Sequence, residues 1–314
     1  MVSIQIITPA PRGSLSGNRA TANRWAKLLR SLGHSVKIVT SLRGSPEVAI
    51  ALHARRSHES IRRFRDLYPE RPLVVALTGT DLYRDIHRDR AAAESLRLAS
   101  RLVVLQKAAL QELPAAVRPK TRVILQSATP RARKRRRKQP PRLVIVGHLR
   151  RVKDPFRLLA ALSRLPTFPL EVLHAGRALE PEFAVAARRW MRRERRYRWI
   201  GEVPSARARQ MIADSDALVL SSTMEGGANV ISEAVVCGVV VLASWISSSV
   251  ALLGDEYEGY FEVGSSDSLA TLVRRFVDDS RFRSRLRRQI ARRRTLFTPR
   301  AERQAWRRLL EGLL

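Results

Sequence analysis

The chain has 314 residues, 45% of them hydrophobic, and carries 59 Lys and Arg against 28 Asp and Glu, a formal net charge of +31 at pH 7. That length suits two domains of ordinary size. A single cysteine, Cys237, excludes a disulfide framework and a cysteine-based zinc site, and favours a reducing, cytoplasmic setting.

The six histidines lack the i, i+4 pairing of a metal site, so no metal is expected. Residues 2–8, VSIQIIT, read as a strand rather than a targeting segment. The longest apolar stretch, around 234–243, falls short of the roughly 20 residues that span a bilayer, so no stable membrane insertion is expected. The positive charge favours anionic substrates and nonspecific polyanion binding. Its arginine runs, such as those within 188–196, lack the interleaved aromatics that stack bases.

In chain order, apolar runs alternate with amphipathic helices, the pattern of an α/β fold with parallel sheets. In the first half, strands are predicted near 2–8, 35–40, 47–52, 72–77, 101–105 and 121–125. Helices are predicted near 18–32, 57–67, 88–99 and 106–113. The second half repeats the scheme, with strands near 142–147, 169–175, 197–200, 217–221, 238–243 and 259–263. Its helices fall near 154–165, 181–196, 205–215, 229–237 and 266–278.

Residues 131–138, RARKRRRK, hold seven basic side chains in eight, and Pro140-Pro141 stops any helix after them. A first domain over 1–130, a basic linker over 131–141 and a second domain over 142–298 follow. A last helix over 299–314, opened by Thr298-Pro299, is expected to pack back on the first domain. The expected fold is two Rossmann-like, doubly wound parallel-sheet domains with a cleft between them.

Ligands of such sheets bind beyond the carboxyl ends of the strands, which selects four loops. After the first strand, Gly13 and Gly17 allow a ligand close to the backbone. Ser14, Ser16, Asn18 and Arg19 offer polar contacts at a helix start. The spacing matches neither a dinucleotide fingerprint nor a Walker A loop, so neither cofactor is expected. The second loop holds Thr78, Gly79, Thr80 and Asp81; Asp81 is either a substrate contact or base, or a helix cap. His53 and Arg55, directly after another strand, are weaker candidates. The third runs from Gly147 and His148 through Arg150 and Arg151 to Lys153, with Asp154-Pro155 read as N-cap and N1, which sets Lys153 where it can pair with phosphate oxygens. The fourth is Glu225-Gly226-Gly227-Ala228-Asn229, running into a helix that carries Glu233. Its glycines let the backbone wrap a diphosphate at the helix N-terminus, and Glu233 can accept from ribose hydroxyls.

The Glu225-to-Glu233 segment, on a Gly-Gly loop in the later half of a second α/β domain, resembles the glycosyltransferases of GT-B fold called family 4. That resemblance implies a nucleotide-sugar donor, with Glu225 at the sugar, Glu233 at the ribose and Gly226, Gly227 and Ala228 at the diphosphate. It implies Lys153 as the phosphate-binding lysine and no bound metal or other cofactor. His148 stands where the family usually has Arg, and Arg150 or Arg151 is a candidate replacement.

A narrower resemblance lies in the first domain. GSLSGNRATANRWAKLLRSLGH (13–34), ALHARRSHES (51–60), PLVVALTGTDLYRD (72–85) and LVVLQ (102–106) resemble the selenosugar synthases of selenoneine biosynthesis. That resemblance implies transfer of a sugar, N-acetylglucosamine, from a UDP-sugar to selenophosphate with formation of a carbon–selenium bond. The loops at 13–19 and 78–85 would then hold the acceptor, and Lys153, Glu225 and Asp81 would serve the chemistry. Two other readings stay open: an oxygen acceptor, such as a lipid or polysaccharide precursor, and a nucleic-acid-binding protein on an inactive scaffold.

Overall fold

The computed structural model describes residues 1–134 and 139–314. Positions 135–138 of the basic run therefore lie outside the described residues. The chain forms two compact units. The first comprises Met1–Ser127, Glu225–Gly227 and Thr298–Leu314, and the second comprises Ala128–Met224 and Ala228–Phe297.

The first unit is built on six parallel strands, β1 (Ser3–Ile7), β2 (Ser35–Val39), β3 (Val48–Leu52), β4 (Leu73–Leu77), β5 (Arg101–Val104) and β6 (Thr121–Val123). They lie in the order β2-β1-β3-β4-β5-β6. The central strands VAIAL and LVVAL are buried along their whole length, as expected of a parallel sheet covered on both faces. Because successive side chains alternate, Ala49, Ala51, Leu73, Val75 and Leu77 enter one apolar layer. Val48, Ile50, Leu52, Val74 and Ala76 enter the other.

Helices α1 (Gly17–Arg30), α2 (His58–Leu67), α3 (Ile86–Arg88) and α4 (Arg90–Leu98) surround this sheet. The final helix, α12 (Pro299–Glu311), completes the layer that holds α1. Trp25 of α1 and Trp306 of α12 meet edge to face with ring centroids 4.7 Å apart. Between them the buried Glu302 carboxylate accepts from Trp25 Nε1 at 2.7 Å, Arg24 Nε at 3.1 Å and the Ser127 amide at 2.9 Å.

The second unit has β7 (Arg142–Val146), β8 (Glu171–Ala175), β9 (Tyr197–Trp199), β10 (Ala217–Leu220), β11 (Val240–Ser244) and β12 (Tyr260–Phe261). These strands are parallel, in the order β12-β11-β10-β7-β8-β9. Around them run α5 (Arg157–Leu162), α6 (Pro181–Arg193), α7 (Ser205–Ala213), α8 (Asn229–Val236), α9 (Ser247–Leu253), α10 (Ser266–Asp278) and α11 (Ser280–Arg293).

Several elements differ from the sequence expectation. Asp154 is not an N-cap: it is left-handed (φ 41°, ψ 58°) and ends a short 3-10 turn over Arg151–Lys153, and α5 begins only at Arg157. The expected helix near 106–113 is a 3-10 turn over Lys107–Leu110. Helices α9 and α11 were absent from the expected elements. In α11 the apolar side chains are spaced four apart, at Phe282, Leu286 and Ile290, and Asp279 caps its start by accepting from the Phe282 amide at 2.9 Å.

Strand order reverses direction between β1 and β3 in the first unit and between β7 and β10 in the second. Those two positions are the topological switch points, where open α/β sheets take their ligands.

Candidate active site

In the second unit, the loops after β7 and β10 are tied together at the switch point. The Ser221 hydroxyl donates to the Lys153 carbonyl at 3.0 Å and to that of Asp154 at 2.8 Å. The Thr223 amide donates to the Val152 carbonyl at 2.9 Å. Together these bonds hold the short turn that carries Lys153. The lysine stem runs past Gly147, where an added Cβ would sit 3.9 Å from its Cδ and Cε. Asp154 accepts from Arg157 Nε at 2.7 Å and so fastens the turn to α5.

His148 follows directly on this loop and is partly buried. Its Nδ1 accepts from the Arg177 amide at 3.2 Å, which leaves the proton on Nε2, 3.9 Å from Glu202. Burial lowers its pKa; Glu202 opposes that shift, and Arg177, Arg150 and Lys153 reinforce it. The imidazole is therefore a neutral donor at neutral pH. Arg150, beside it, is extended and partly exposed.

Ala228 stands at the start of α8 and contributes no side-chain cap; its carbonyl accepts from the Ile231 amide at 2.8 Å. Asn229 and Glu233 are half-buried on the first turns of this helix. A helix start of this kind is suited to an anion.

The three residues Glu225–Gly227 pack with the first unit. A Cβ at Gly226 would lie 2.4 Å from the Thr78 carbonyl oxygen, and one at Gly227 would lie 2.3 Å from Leu105 Cβ. Only glycine permits these approaches. Glu225 is buried there.

The remaining first-unit candidates lie at the carboxyl ends of β1 and β4. Gly13 (φ 87°) turns the loop after β1. Ser16 caps α1 by accepting from the Arg19 amide at 3.4 Å, and Ser14 Oγ accepts from the Ser16 amide at 3.2 Å. Both hydroxyl oxygens thus shape the loop. Gly17, Asn18 and Arg19 form the first turn of α1, with Gly17 exposed and the other two half-buried. Thr78, Gly79 and Thr80 are half-buried.

Asp81, open to two readings, substrate contact or base and cap, has contacts that accord with the cap-like one. It is fully buried, and its carboxylate accepts from the amides of Ala54 at 3.0 Å, Thr78 at 3.0 Å and Gly79 at 2.8 Å. Those bonds fold the loop around it, so Asp81 organises the backbone and presents no free face to a substrate. Arg55 is likewise engaged, with Asp85 at 3.0 Å. Residues missed in the sequence include Gly176, Ser221 and Glu202. Gly176 carried a signal, as a glycine immediately after a strand.

Among the described residues, no group of three or more His, Cys, Asp or Glu is placed to hold a metal ion. Among the same residues, no helix is long and apolar enough to cross a membrane.

The sequence profile of the glycosyl transferases group 1 family matches residues 127–293, more than half of the chain. The chain belongs to that family. Solved structures similar over nearly the full length agree on the fold. Anabaena HepE, solved in complex with UDP and glucose, matches at a TM-score of 0.79 and 17% identity, over 99% of this chain and 100% of that one. Sucrose-phosphate synthase from Thermosynechococcus elongatus matches at 0.82 and 14%, over 99% of each chain. The catalytic domain of starch synthase IV from Arabidopsis thaliana, bound to ADP and acarbose, matches at 0.77 and 10%, over 99% of each.

The fold is therefore GT-B, with two six-stranded parallel sheets flanked by helices. Within this group 1 glycosyltransferase, the matched residues 127–293 take in Gly147, His148, Arg150, Lys153, Glu225–Asn229 and Glu233. The family match alone therefore reaches the candidate donor loops and leaves the acceptor loops before residue 127 to be read from their own residues.

Proposed function

We propose that this group 1 glycosyltransferase transfers a sugar, N-acetylglucosamine, from a UDP donor to selenophosphate in the cytoplasm. The observation that carries the acceptor is where the selenosugar-synthase-like stretches fall. GSLSGNR follows β1, ALHARRS runs through the end of β3, TGTDLYRD follows β4 and LVVLQ spans the end of β5. These four strands are consecutive neighbours in one sheet, β1-β3-β4-β5. The resemblance thus takes in the four inner strands of one sheet and the loops after β1, β3 and β4, beside the switch point between β1 and β3, where a ligand is expected. The UDP donor is supported by Lys153 and the α8 N-terminus in the second unit, and by the UDP complex of the similar HepE structure.

In this reaction selenium forms a bond to the anomeric carbon as the bond from that carbon to the UDP oxygen breaks, its electron pair leaving on UDP. Lys153, the His148 Nε2–H and the first-turn amides of α8 stabilise that departing charge without a metal. Selenium in selenophosphate is already a strong nucleophile, so no general base is required, in keeping with an Asp81 whose carboxylate is committed to backbone amides. Water then cleaves the phosphorus–selenium bond, releasing phosphate and the selenol of the sugar. The net charge of +31 suits an anionic acceptor and adds nonspecific, salt-sensitive binding to polyanions.

The test is product analysis. Incubation with UDP-N-acetylglucosamine and selenophosphate should yield a product with the selenium isotope pattern and the mass of the selenosugar. Transfer to an oxygen acceptor with no selenium in the product would assign the protein to a different reaction of the same family.

A further inference from the structure

We propose that His53 is a positioning residue for the acceptor: its imidazole orients the Thr80 hydroxyl at the carboxyl end of the first sheet, so that Thr80 offers its proton to the bound selenophosphate. This rests on the reading that the first unit takes the acceptor.

His53 directly follows β3, one of the two strands flanking the first unit's switch point. Its φ of 74° lies in the left-handed region, which among non-glycine described residues it shares with Asp154. Such a conformation is strained for a residue with a side chain and persists only where the surroundings hold it. Here they do. The His53 amide donates to the Ala76 carbonyl at 2.8 Å, its carbonyl accepts from the Ser57 amide at 3.1 Å, and the residue is buried. Glycine would make this turn without strain. The imidazole therefore carries a duty beyond the turn.

Its two nitrogens are distinguished by their neighbours. Nδ1 accepts from the Arg56 amide at 3.4 Å, so the ring proton lies on Nε2. Asp81 stands 3.9 Å from Nδ1, beyond hydrogen-bond reach, with its oxygens spent on Ala54, Thr78 and Gly79. Nε2 faces Thr80 Oγ1 at 3.4 Å. Burial lowers the pKa of the imidazole; Asp81 and Asp85 oppose that shift, and Arg56 and Arg55 add to it. The ring is thus neutral and donates through Nε2 to the Thr80 oxygen. A hydroxyl has one proton and two lone pairs. With its oxygen accepting from His53, the Thr80 proton is directed away from the histidine, on a partly exposed side chain. An anionic oxygen is the partner this arrangement suits.

Four variants test it: His53→Asn, His53→Gln, Thr80→Val and the double variant His53→Asn/Thr80→Val. Asparagine tolerates the left-handed backbone but is too short to reach Thr80; glutamine extends an N–H toward the Nε2 position. His53→Asn should raise the KM for selenophosphate about tenfold and leave the KM for the UDP-sugar and the Tm unchanged. His53→Gln should recover part of that loss. The double variant should be no worse than Thr80→Val, because His53 acts through Thr80. Additive losses, or equal rises in both KM values, would overturn the inference while leaving the acceptor assignment standing. Absence of selenophosphate turnover in the wild type would overturn that assignment and this inference with it.

Discussion

Gly176 lies so close to Gly147 that a Cβ on Gly176 would sit 1.8 Å from the Gly147 carbonyl oxygen. Gly176 also has φ 154°, and its carbonyl accepts from Trp199 Nε1 at 2.8 Å. The ends of β7 and β8 are thereby pressed together just before His148 and Lys153. Gly176→Ala should displace the loop after β7, weaken UDP binding at least tenfold and lower the Tm by several degrees. Calorimetric titration with UDP, paired with a thermal melt, checks both effects.

Lys153 sits on a turn held by bonds from Ser221 and Thr223 to its backbone carbonyls. Lys153→Ala should therefore leave the Tm within about 2 °C of wild type while lowering kcat/KM by about two to three orders of magnitude. Near-normal turnover would remove Lys153 from the stabilisation of the leaving group.

Glu302 joins α12 to α1 through a buried carboxylate that serves Arg24, Trp25 and Ser127 together. Glu302→Ala strands the Trp25 indole N–H and the Ser127 amide, and should cost about 3 kcal/mol of stability. Urea unfolding followed by tryptophan fluorescence reports this directly, because Trp25 and Trp306 form one ring pair.

His174, on β8, is fully buried beside the Tyr197 hydroxyl, with Nδ1 and the hydroxyl oxygen 2.9 Å apart. Burial pushes its pKa down to about 4, from an ordinary value near 6.5. The unfolded chain therefore binds this proton first, and stability should fall as pH drops from about 6.5 to about 4, by up to roughly 3 kcal/mol. Above pH 6.5 the group contributes no pH dependence. Stability against pH for the wild type and His174→Phe should diverge in slope within that window and run parallel above it.

Much of the fold was legible because buried parallel strands leave continuous apolar runs, as in VAIAL and LVVAL, and helices leave a four-residue apolar spacing. The spacing of Phe282, Leu286 and Ile290 marks α11 as well, but arginines at 281, 283, 285, 287 and 288 masked it. The candidate loops were legible because strand ends and glycines coincide, as at Gly226-Gly227. The function of single side chains was less so. Asp81 reads equally as ligand or cap until the amides of Ala54, Thr78 and Gly79 converge on it. His53 gained weight only from a left-handed backbone and a neighbour 27 residues away, neither of which leaves a local pattern.

The most direct test of the central claim is the rate of UDP release from UDP-N-acetylglucosamine, measured against selenophosphate concentration with phosphate and water as controls. Saturable UDP release that requires selenophosphate is the predicted result. UDP release indifferent to selenophosphate, or none with any UDP-sugar, would contradict the account.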